Sequence, residues 1–312
     1  MTTKIQNYLK SILTGFKGVA LFDEPMSKHT SFRIGGPADV IVFPGDEVEL
    51  SRIIRLAQSK RVPLFMLGEG TNLLVRDKGI RGIVVSLCSR FAGDYFRNIV
   101  QIKEDANGMF IYAGAGVTLT RLLRYTAQKG LSGLEFAAGI PGSLGGAIIM
   151  NAGSYGREMG DLLESVRIVD RSGNLLDLPS KEIAFRYRAT HIPGIAVAGA
   201  ILKLRRDDRG KIETIIKENL LRKRETQSVG RPNAGSIFKN PEEMKSWELI
   251  DSVGMRGASV GKASVSKMHT NFIINNGGAN ARDVLSLIRL IGSKVERERG
   301  VTLKLEIRIA GG

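Results

Sequence analysis

The sequence predicts an α+β fold, because segments with strand-like and helix-like apolar spacing alternate along its 312 residues. The clearest unit lies near the start, where apolar runs at 40–43 and 64–67 flank a helical pattern that Asp46 can cap. The last segment, 301–309, alternates apolar and charged residues as a half-buried strand does. With 43% apolar residues, a chain of this length is expected to form two or three domains with buried cores.

The remaining elements follow from the same two periods. Helices are predicted over 5–16, from Thr118 to Gly130, over 211–226, at 247–250 and from Asn280 to Val295. Strands are predicted at 80–87, 99–102, 109–113, 166–169, around 186–188, at 195–204 and at 272–274, with a turn at Asn107 and Gly108. The helix at 211–226 is basic and amphipathic, and we expect it to bury Ile212, Ile215, Ile216 and Leu220.

Two glycine-rich segments interrupt these elements. The first, GEGTNLL at 68–74, directly follows a predicted strand, where glycines let consecutive backbone N–H groups turn towards an anion. Leu73 stands where the dinucleotide fingerprint has its third glycine, so a tight turn is the commoner meaning. The second, at 133–146, is too apolar for a solvated linker and too rich in glycine for an ordinary core element. Backbone lying against a large planar ligand would need that composition, and a set of tight turns is the alternative.

The segment NAGSIFKNP at 233–241 places a hydroxyl, an ammonium and two carboxamides close together. Two small residues precede Ser236 and would let a ligand approach it closely. The pattern is compatible with an irregular loop that buries the apolar pair at 237–238. Such a loop is the commoner meaning, and the alternative is a site where Ser236 gives a proton to an anionic group held by Lys239 and Asn240; the spacing alone leaves both open.

The composition argues against several classes of protein. Cys88 is the only cysteine and there are three histidines, so we expect no internal disulfide, no cysteine-based zinc cluster and no histidine-rich metal site. A single cysteine is also consistent with a protein of the reducing cytosol. No stretch approaches the roughly 20 apolar residues of a membrane span, and residues 1–10, in which polar residues interrupt the apolar ones, are not expected to be a signal peptide. The net charge of +15 indicates a polyanionic ligand. Its even spread, without aromatic interleaving, favours a small phosphorylated substrate over nucleic acid.

The sequence contains a series of short motifs in a fixed order, namely FRIGGPA at 32–38, LGEGTN at 67–72, GIPG at 139–142, NAG at 151–153, YR at 187–188, AGSIFKNP at 234–241, LID at 249–251, NFIIN at 271–275 and EIR at 306–308. This series resembles the bacterial UDP-N-acetylenolpyruvoylglucosamine reductases of cell-wall synthesis, which are flavoproteins of the vanillyl-alcohol-oxidase type. The early FRIGG form and the lack of an inserted tyrosine loop resemble the shorter of the family's two types. The sequence departs from many relatives in LKLE at 303–306, where they carry LEPE, and in MHT at 268–270, where KHA is more usual.

The resemblance implies a two-domain FAD-binding module of the vanillyl-alcohol-oxidase (PCMH) type, at 1–85 and 86–205, and a C-terminal α+β substrate-binding domain at 206–312. It implies non-covalent FAD, NADPH as co-substrate, a UDP-sugar as substrate and no metal. A cytoplasmic monomer without nucleic-acid or membrane partners is expected. The implied cofactor-binding residues are Gly68, Glu69, Gly70, Thr71, Asn72, Leu73, Gly139, Ile140, Pro141, Gly142, Gly145 and Gly146.

The resemblance also implies three catalytic residues, Ser236, Arg188 and Glu306. After NADPH reduces FAD, flavin N5 would deliver hydride to the terminal vinyl carbon of an enolpyruvyl ether, and negative charge would build beside its carboxylate. Arg188 would hold that charge with its guanidinium fork, and Glu306 would donate a hydrogen bond in a protonated form that needs a raised pKa. Ser236 would protonate the carbon, while Lys239 or another nearby dipole stabilises the alkoxide.

Four residues are predicted to contact the substrate. The predicted contacts of the UDP diphosphate are Arg224, Lys239 and Asn240, and Tyr155 is a further predicted substrate contact. From the residues alone, Arg188 is also compatible with a surface arginine on a strand. Glu306 is also compatible with a solvated salt-bridge partner between two basic residues.

Two other functions compete with this hypothesis. An alcohol oxidase of the same superfamily would use oxygen, and such enzymes often attach FAD through a histidine, which neither glycine-rich segment contains. A basic protein that binds nucleic acid or a sugar nucleotide without catalysis is the non-enzymatic alternative.

Overall fold

The computed structural model describes residues 2–106, 108–227 and 229–312, with the backbone only for residues 2–5. The predicted turn residue Asn107 and the side chain of Ile5 therefore lie outside the described residues. The helices are α1 (Thr2–Ile12), α2 (Glu47–Ser59), α3 (Leu119–Gln128), α4 (Leu144–Ile149), α5 (Arg209–Gln227), α6 (Ser246–Ser252) and α7 (Ala281–Arg299). The strands are β1 (Val19–Pro25), β2 (Pro37–Phe43), β3 (Leu64–Leu67), β4 (Leu73–Val75), β5 (Ile80–Ser86), β6 (Ile99–Asp105), β7 (Gly108–Gly114), β8 (Leu131–Ser132), β9 (Gly153–Ser154), β10 (Arg157–Glu158), β11 (Leu163–Val169), β12 (Leu175–Pro179), β13 (Ala184–Arg186), β14 (Ala189–His191), β15 (Ala196–Arg206), β16 (Ser259–Val260), β17 (Ala263–Val265), β18 (Ile273–Asn275) and β19 (Arg308–Ala310).

The chain divides into two compact units, and each is discontinuous in sequence. The first consists of the chain up to Phe22, Asp39–Glu69 and Gly82–Arg222. The second consists of Asp23–Ala38, Gly70–Arg81 and Lys223–Gly312. Two short N-terminal segments therefore complete the C-terminal unit.

The sheets of the N-terminal two thirds carry both parallel and antiparallel pairs. One four-stranded sheet has the order β1-β2-β5-β3, with Leu64 of β3 opposite Ile83 of β5 in a parallel pair. The larger sheet has the order β12-β11-β15-β7-β6, with β8 pairing β15, and its pairs are antiparallel. Helix α2 begins as predicted, because the Asp46 carboxylate accepts a hydrogen bond of 2.8 Å from the Glu49 N–H.

The second unit is built around α6, α7 and two small sheets. Strands β16, β17 and β18 form one antiparallel sheet, and β19 pairs in parallel with β4, with Arg308 opposite Leu73. The N-terminus of α7 is capped twice over: Asn280 Oδ1 accepts the Asp283 N–H at 2.8 Å, and the Asp77 carboxylate accepts the Ala281 N–H at 2.7 Å. The apolar face predicted for this helix is buried, namely Val284, Leu287, Ile288, Ile291 and Val295.

The mixed architecture confirms the predicted α+β class, but three local predictions are wrong. Tyr187 and Arg188 do not lie in a strand: they form the two-residue loop of the β13–β14 hairpin, in which Arg186 pairs with Ala189. On α5, Leu220 is 44% exposed and the polar Asn219 is buried in its place. The final strand is limited to β19, with Leu305 forming only an isolated bridge to Phe238.

The second glycine-rich segment contains a helix that the pattern did not predict. Ser143 caps α4, with its hydroxyl accepting the Gly146 N–H at 3.3 Å, although glycines fill the first turn. Tertiary packing overrides their low helix propensity, since Leu144 and Ile148 are fully buried.

Candidate active site

The two glycine-rich segments meet within the first unit. A Cβ added to Gly68 would lie 3.1 Å from Ser143 Oγ and 3.8 Å from the Cα of Gly146. Both segments thus present backbone to each other with little side-chain cover. Such a surface suits a large flat or phosphorylated group that must approach the main chain closely, so the residues present fit FAD.

Some of the predicted cofactor-binding glycines also have a packing role of their own. Gly70 has a φ of +66°, and a Cβ there would lie 2.0 Å from the His29 carbonyl oxygen. Gly145 packs on Ala115, where an added Cβ would lie 2.9 Å from the existing one. These two positions therefore require glycine for the fold, whatever they bind.

The first glycine-rich segment passes from one unit to the other at Gly70. Asn72 then donates its side-chain N–H to the main-chain oxygen of Glu306 at 3.2 Å, and Leu73 is buried in β4. Thr71 is half-buried. In the second segment, Gly139 and Pro141 are exposed, whereas Ile140 and Gly142 are half-buried. The cofactor contacts of all these residues stay a prediction.

Two titratable groups lie along the first unit's glycine-rich surface. Burial raises the pKa of the Glu69 carboxyl, so its neutral form is favoured there. Burial also raises the pKa of the Cys88 thiol to about 12, with a smaller opposing effect from its hydrogen bond to Ser143 and a further small increase from the charge of Glu69.

Arg188 sits at the tip of a hairpin that the rest of the first unit holds firmly. Its φ of +54° is a conformation that non-glycine residues adopt at a cost of roughly 1–2 kcal/mol. The guanidinium carbon lies 5.1 Å from the centroid of the Tyr187 ring. The fully buried Asn151 donates to the Arg186 carbonyl at 3.2 Å and accepts the Gly160 N–H at 3.0 Å. Backbone strain at a well-supported position is typical of functional residues.

Ser236 and Glu306 lie in neighbouring segments of the second unit. Ser236 bridges to Phe272, and Phe238 bridges to Leu305. The Glu306 N–H donates to the Ile237 carbonyl at 2.8 Å. The apolar pair at 237–238 is buried, as the loop interpretation predicted. The structure therefore brings two of the three predicted catalytic residues into hydrogen-bonded segments, and it places Arg188 in the first unit.

The predicted substrate residues occupy three places. Lys239 is half-buried, and its N–H donates to Lys304 O at 2.8 Å. Asn240 is exposed, with its Oδ1 accepting the Ser246 N–H at 3.1 Å, and Arg224 is exposed near the end of α5. In the first unit, the hydroxyl of Tyr155 donates to Asn219 O at 2.9 Å; burial raises the pKa of Tyr155, and the charge of Arg222 opposes that rise.

Sequence reasoning missed two buried asparagines that support the site. Asn151 supports the Arg188 hairpin, and Asn271 bonds to both main-chain polar groups of Phe238. A polar residue inside an otherwise apolar or glycine-rich pattern was the available signal, since a buried carboxamide needs partners that it fixes in place. Both lie in motifs already noted, NAG and NFIIN.

The described residues contain neither a membrane-spanning helix nor a cluster of metal ligands. Across 2–106, 108–227 and 229–312, no helix is both long and apolar enough to cross a bilayer. Over the same part of the chain, no group of three or more His, Cys, Asp and Glu side chains is arranged to hold a metal ion.

Comparison with known proteins defines first the class and then the family. Residues 38–179 match the family model described as "FAD binding domain", and residues 227–310 match "UDP-N-acetylenolpyruvoylglucosamine reductase, C-terminal domain". Together with the glycine-rich surface, the first match makes the protein an FAD-dependent oxidoreductase. It also confirms the predicted FAD-binding module and FAD as the cofactor.

Relatives along the whole chain then establish the family. A UDP-N-acetylenolpyruvoylglucosamine reductase of Caldanaerobacter subterraneus is 43% identical over 305 residues, which cover 97% of each chain. The reductase 2 of Symbiobacterium thermophilum is 41% identical over 92% of this chain and 91% of its own. The crystal structure of the reductase (MurB) from Thermus caldophilus superposes with a TM-score of 0.78 at 35% identity, covering 95% of this chain and 99% of that one. The chain belongs to the UDP-N-acetylenolpyruvoylglucosamine reductase family, as the motifs predicted.

Proposed function

We propose that the protein reduces the enolpyruvyl ether of UDP-N-acetylglucosamine to UDP-N-acetylmuramate in peptidoglycan synthesis, with NADPH as the reductant. The observation that carries this proposal is a family relationship along the whole chain, joined to a structure in which the Ser236 and Glu306 segments are hydrogen-bonded to each other. We further propose that the protein acts as a cytoplasmic monomer without a nucleic-acid or membrane partner.

The protein's own residues would stabilise the negative charge that develops on the substrate and would donate one proton. FAD held by the two glycine-rich segments would supply hydride chemistry for reduction of the vinyl group, with NADPH as the source of the hydride. Electron density then moves onto the carbon that carries the carboxylate, and the guanidinium of Arg188 stabilises that charge with two parallel N–H donors. Its hairpin is held by Asn151, so little reorganisation is needed as charge develops.

Ser236 would complete the reduction by giving its proton to that carbon and recovering one from solvent. A serine hydroxyl is a weak acid, so its alkoxide needs a nearby positive charge, and Lys239 lies three residues further along the same segment. Glu306, as a neutral acid, would donate a hydrogen bond to the same developing charge. General acid catalysis of this type contributes about 10²–10⁴-fold to the rate.

The remaining predicted residues would bind and orient the substrate. Arg224, Lys239 and Asn240 are proposed to contact the diphosphate, and Tyr155 a further part of the substrate. Gly68, Glu69 and the second glycine-rich segment are proposed to hold FAD, as are Gly70, Thr71, Asn72 and Leu73.

The test is anaerobic flavin spectroscopy on the purified holoprotein. NADPH should bleach the yellow protein, and adding the enolpyruvyl UDP-sugar without oxygen should restore the colour with formation of one equivalent of the lactyl ether. Re-oxidation by oxygen alone, with no response to this substrate, would favour an alcohol oxidase. A colourless protein that shifts DNA would instead support the binding hypothesis.

A further inference from the structure

The segment that follows Ser236 is held by a side chain rather than by a regular strand. Residues 236–241 form only two isolated bridges, at Ser236 and Phe238. On the other side, Gly235 has a φ of +74°, and an added Cβ there would meet nothing within 4 Å. Further back in the chain, the Asn275 N–H donates to the Pro232 oxygen at 2.9 Å and the Ser31 hydroxyl donates to the Asn233 oxygen at 2.6 Å. The contacts of residues 237–239 therefore fix Ser236 from its C-terminal side.

Every main-chain polar group of residues 237–239 has a partner, and Asn271 provides half of these partners. Its main-chain oxygen accepts the Ile237 N–H at 2.9 Å. Its side-chain Oδ1 accepts the Phe238 N–H at 3.0 Å, and its Nδ2 donates to the Phe238 oxygen at 2.8 Å. The other three partners are Glu306 N–H to the Ile237 oxygen, Lys304 O to the Lys239 N–H, and Ser246 Oγ to the Lys239 oxygen.

A carboxamide is suited to this task because its donor and acceptor lie side by side. It can therefore bond both polar groups of one residue, as a neighbouring strand does with its own main chain. Asn271 is only 3% exposed, so water cannot replace either bond if the side chain is lost. The main-chain oxygen of Asn271 also holds the N–H of Ile237, whose own carbonyl accepts the Glu306 N–H. Asn271 therefore helps to set the register between the segments of Ser236 and Glu306.

We propose that Asn271 is a positioning residue for proton transfer by Ser236. The inference deepens the proposed function and rests on it. Asn271 does not touch the reacting atoms; it holds the segment so that the Ser236 hydroxyl and the Lys239 ammonium keep their places. A displacement of about 1 Å at such a group can cost roughly 10²-fold in rate.

The experiment compares holoenzymes carrying Asn271→Leu, Asn271→Asp and the matched control Thr270→Val. Thr270 is adjacent and also buried, and its hydroxyl donates to the Trp247 oxygen, which lies outside residues 236–239. Stopped-flow absorbance would measure flavin reduction by NADPH and anaerobic re-oxidation by the enolpyruvyl UDP-sugar separately. We expect both Asn271 variants to reduce at the wild-type rate and to re-oxidise about 10–100-fold more slowly, with an unchanged substrate Kd and a larger solvent deuterium isotope effect. Thr270→Val should change neither half-reaction.

A double-mutant cycle separates positioning from a general structural defect. If Asn271 acts through Ser236, then adding Asn271→Asp to Ser236→Ala should slow re-oxidation no further. The inference would be overturned if the losses of re-oxidation rate in the two single variants multiplied in the double variant, or if Asn271→Asp slowed flavin reduction by NADPH.

Should Asn271→Leu fail to fold, Asn271→Asp carries the test, because it keeps the size and the acceptor for the Phe238 N–H. A wild-type protein that the substrate does not re-oxidise would refute the proposed function, whereas normal re-oxidation in both the wild type and the Asn271 variants would refute only this inference.

Discussion

The side-chain amide of Asn72 donates a hydrogen bond of 3.2 Å to the main-chain oxygen of Glu306. The Arg308 N–H in turn donates to the Asn72 oxygen at 3.0 Å, where β4 and β19 begin their parallel pairing. The segment predicted to bind the cofactor and the segment that carries a predicted catalytic acid are therefore hydrogen-bonded to each other. A substitution in the Asn72 segment should therefore change the position of the Glu306 segment.

Asn72→Ala tests this connection. Removing one such hydrogen bond costs about 1 kcal/mol, so we expect the thermal midpoint to fall by a few °C. We also expect slower re-oxidation by the substrate, because Glu306 loses a backbone restraint. Circular dichroism and stopped-flow absorbance would measure the two effects. Asn276→Ala, which removes an exposed amide bond to Ser264, is the control and should change neither; equal effects in the two variants would contradict the account.

Gly70→Ala should cost far more stability than a matched glycine substitution. Both Gly70 and Gly156 have positive φ, at +66° and +76°, so alanine meets a similar backbone penalty of about 1–2 kcal/mol at either place. At Gly70 alone the new Cβ would collide with the His29 oxygen, whereas at Gly156 nothing lies within 4 Å. Overpacking of this kind adds about 1–3 kcal/mol. Thermal melts should show at least twice the loss for Gly70→Ala; equal losses would show that the close approach is unimportant.

Arg188→Gly should separate the chemistry of this residue from its backbone strain. Glycine adopts positive φ without penalty, so the thermal midpoint should stay the same or rise slightly. Substrate re-oxidation of the flavin should nevertheless fall by about 10²–10³-fold, since a fixed donor to the developing charge is gone. Arg61→Gly is the control, because Arg61 is exposed and also has a positive φ of +53°. If Arg188→Gly re-oxidised as fast as Arg61→Gly, Arg188 would have no role in catalysis.

Cys88 should resist alkylation in the folded protein. With a pKa of about 12, the thiol is ionised to only about one part in 10⁴ at pH 8, whereas an ordinary cysteine is ionised to roughly a quarter. Iodoacetamide should therefore label the native protein about 10³-fold more slowly than the urea-unfolded chain, as read by intact mass. Labelling should speed up tenfold for each pH unit up to about pH 11. A native rate within tenfold of the unfolded rate would contradict the raised pKa of this half-buried thiol.

Regular elements with complete local signals were predictable from the sequence. The cap at Asp46, the cap at Asn280 and the apolar face of α7 all lie where the spacing placed them. The wrong predictions concern positions where tertiary contacts determine which side chain is buried. On α5, Asn219 is buried instead of Leu220, because its amide donates to the Glu135 oxygen at 3.0 Å. Single-sequence periodicity contains no information about such a distant partner.

The candidate site divides in the same way. Ser236, Arg188 and Glu306 came from ordered motifs, because their chemistry is recognisable by residue type. The hydrogen-bond partners of the supporting residues could not be predicted, since Asn271 and Asn72 bond to residues 33 and 234 positions away. The turn at Tyr187 and Arg188 was also missed, because neither residue is typical of a tight hairpin loop.

Rapid-mixing kinetics of Ser236→Ala is the most direct test of proton transfer from Ser236. We expect NADPH to reduce the flavin of this variant at the wild-type rate, and anaerobic re-oxidation by the enolpyruvyl UDP-sugar to fall by about 10²–10⁴-fold. Equal slowing of both half-reactions, or re-oxidation at the wild-type rate, would contradict proton transfer from Ser236.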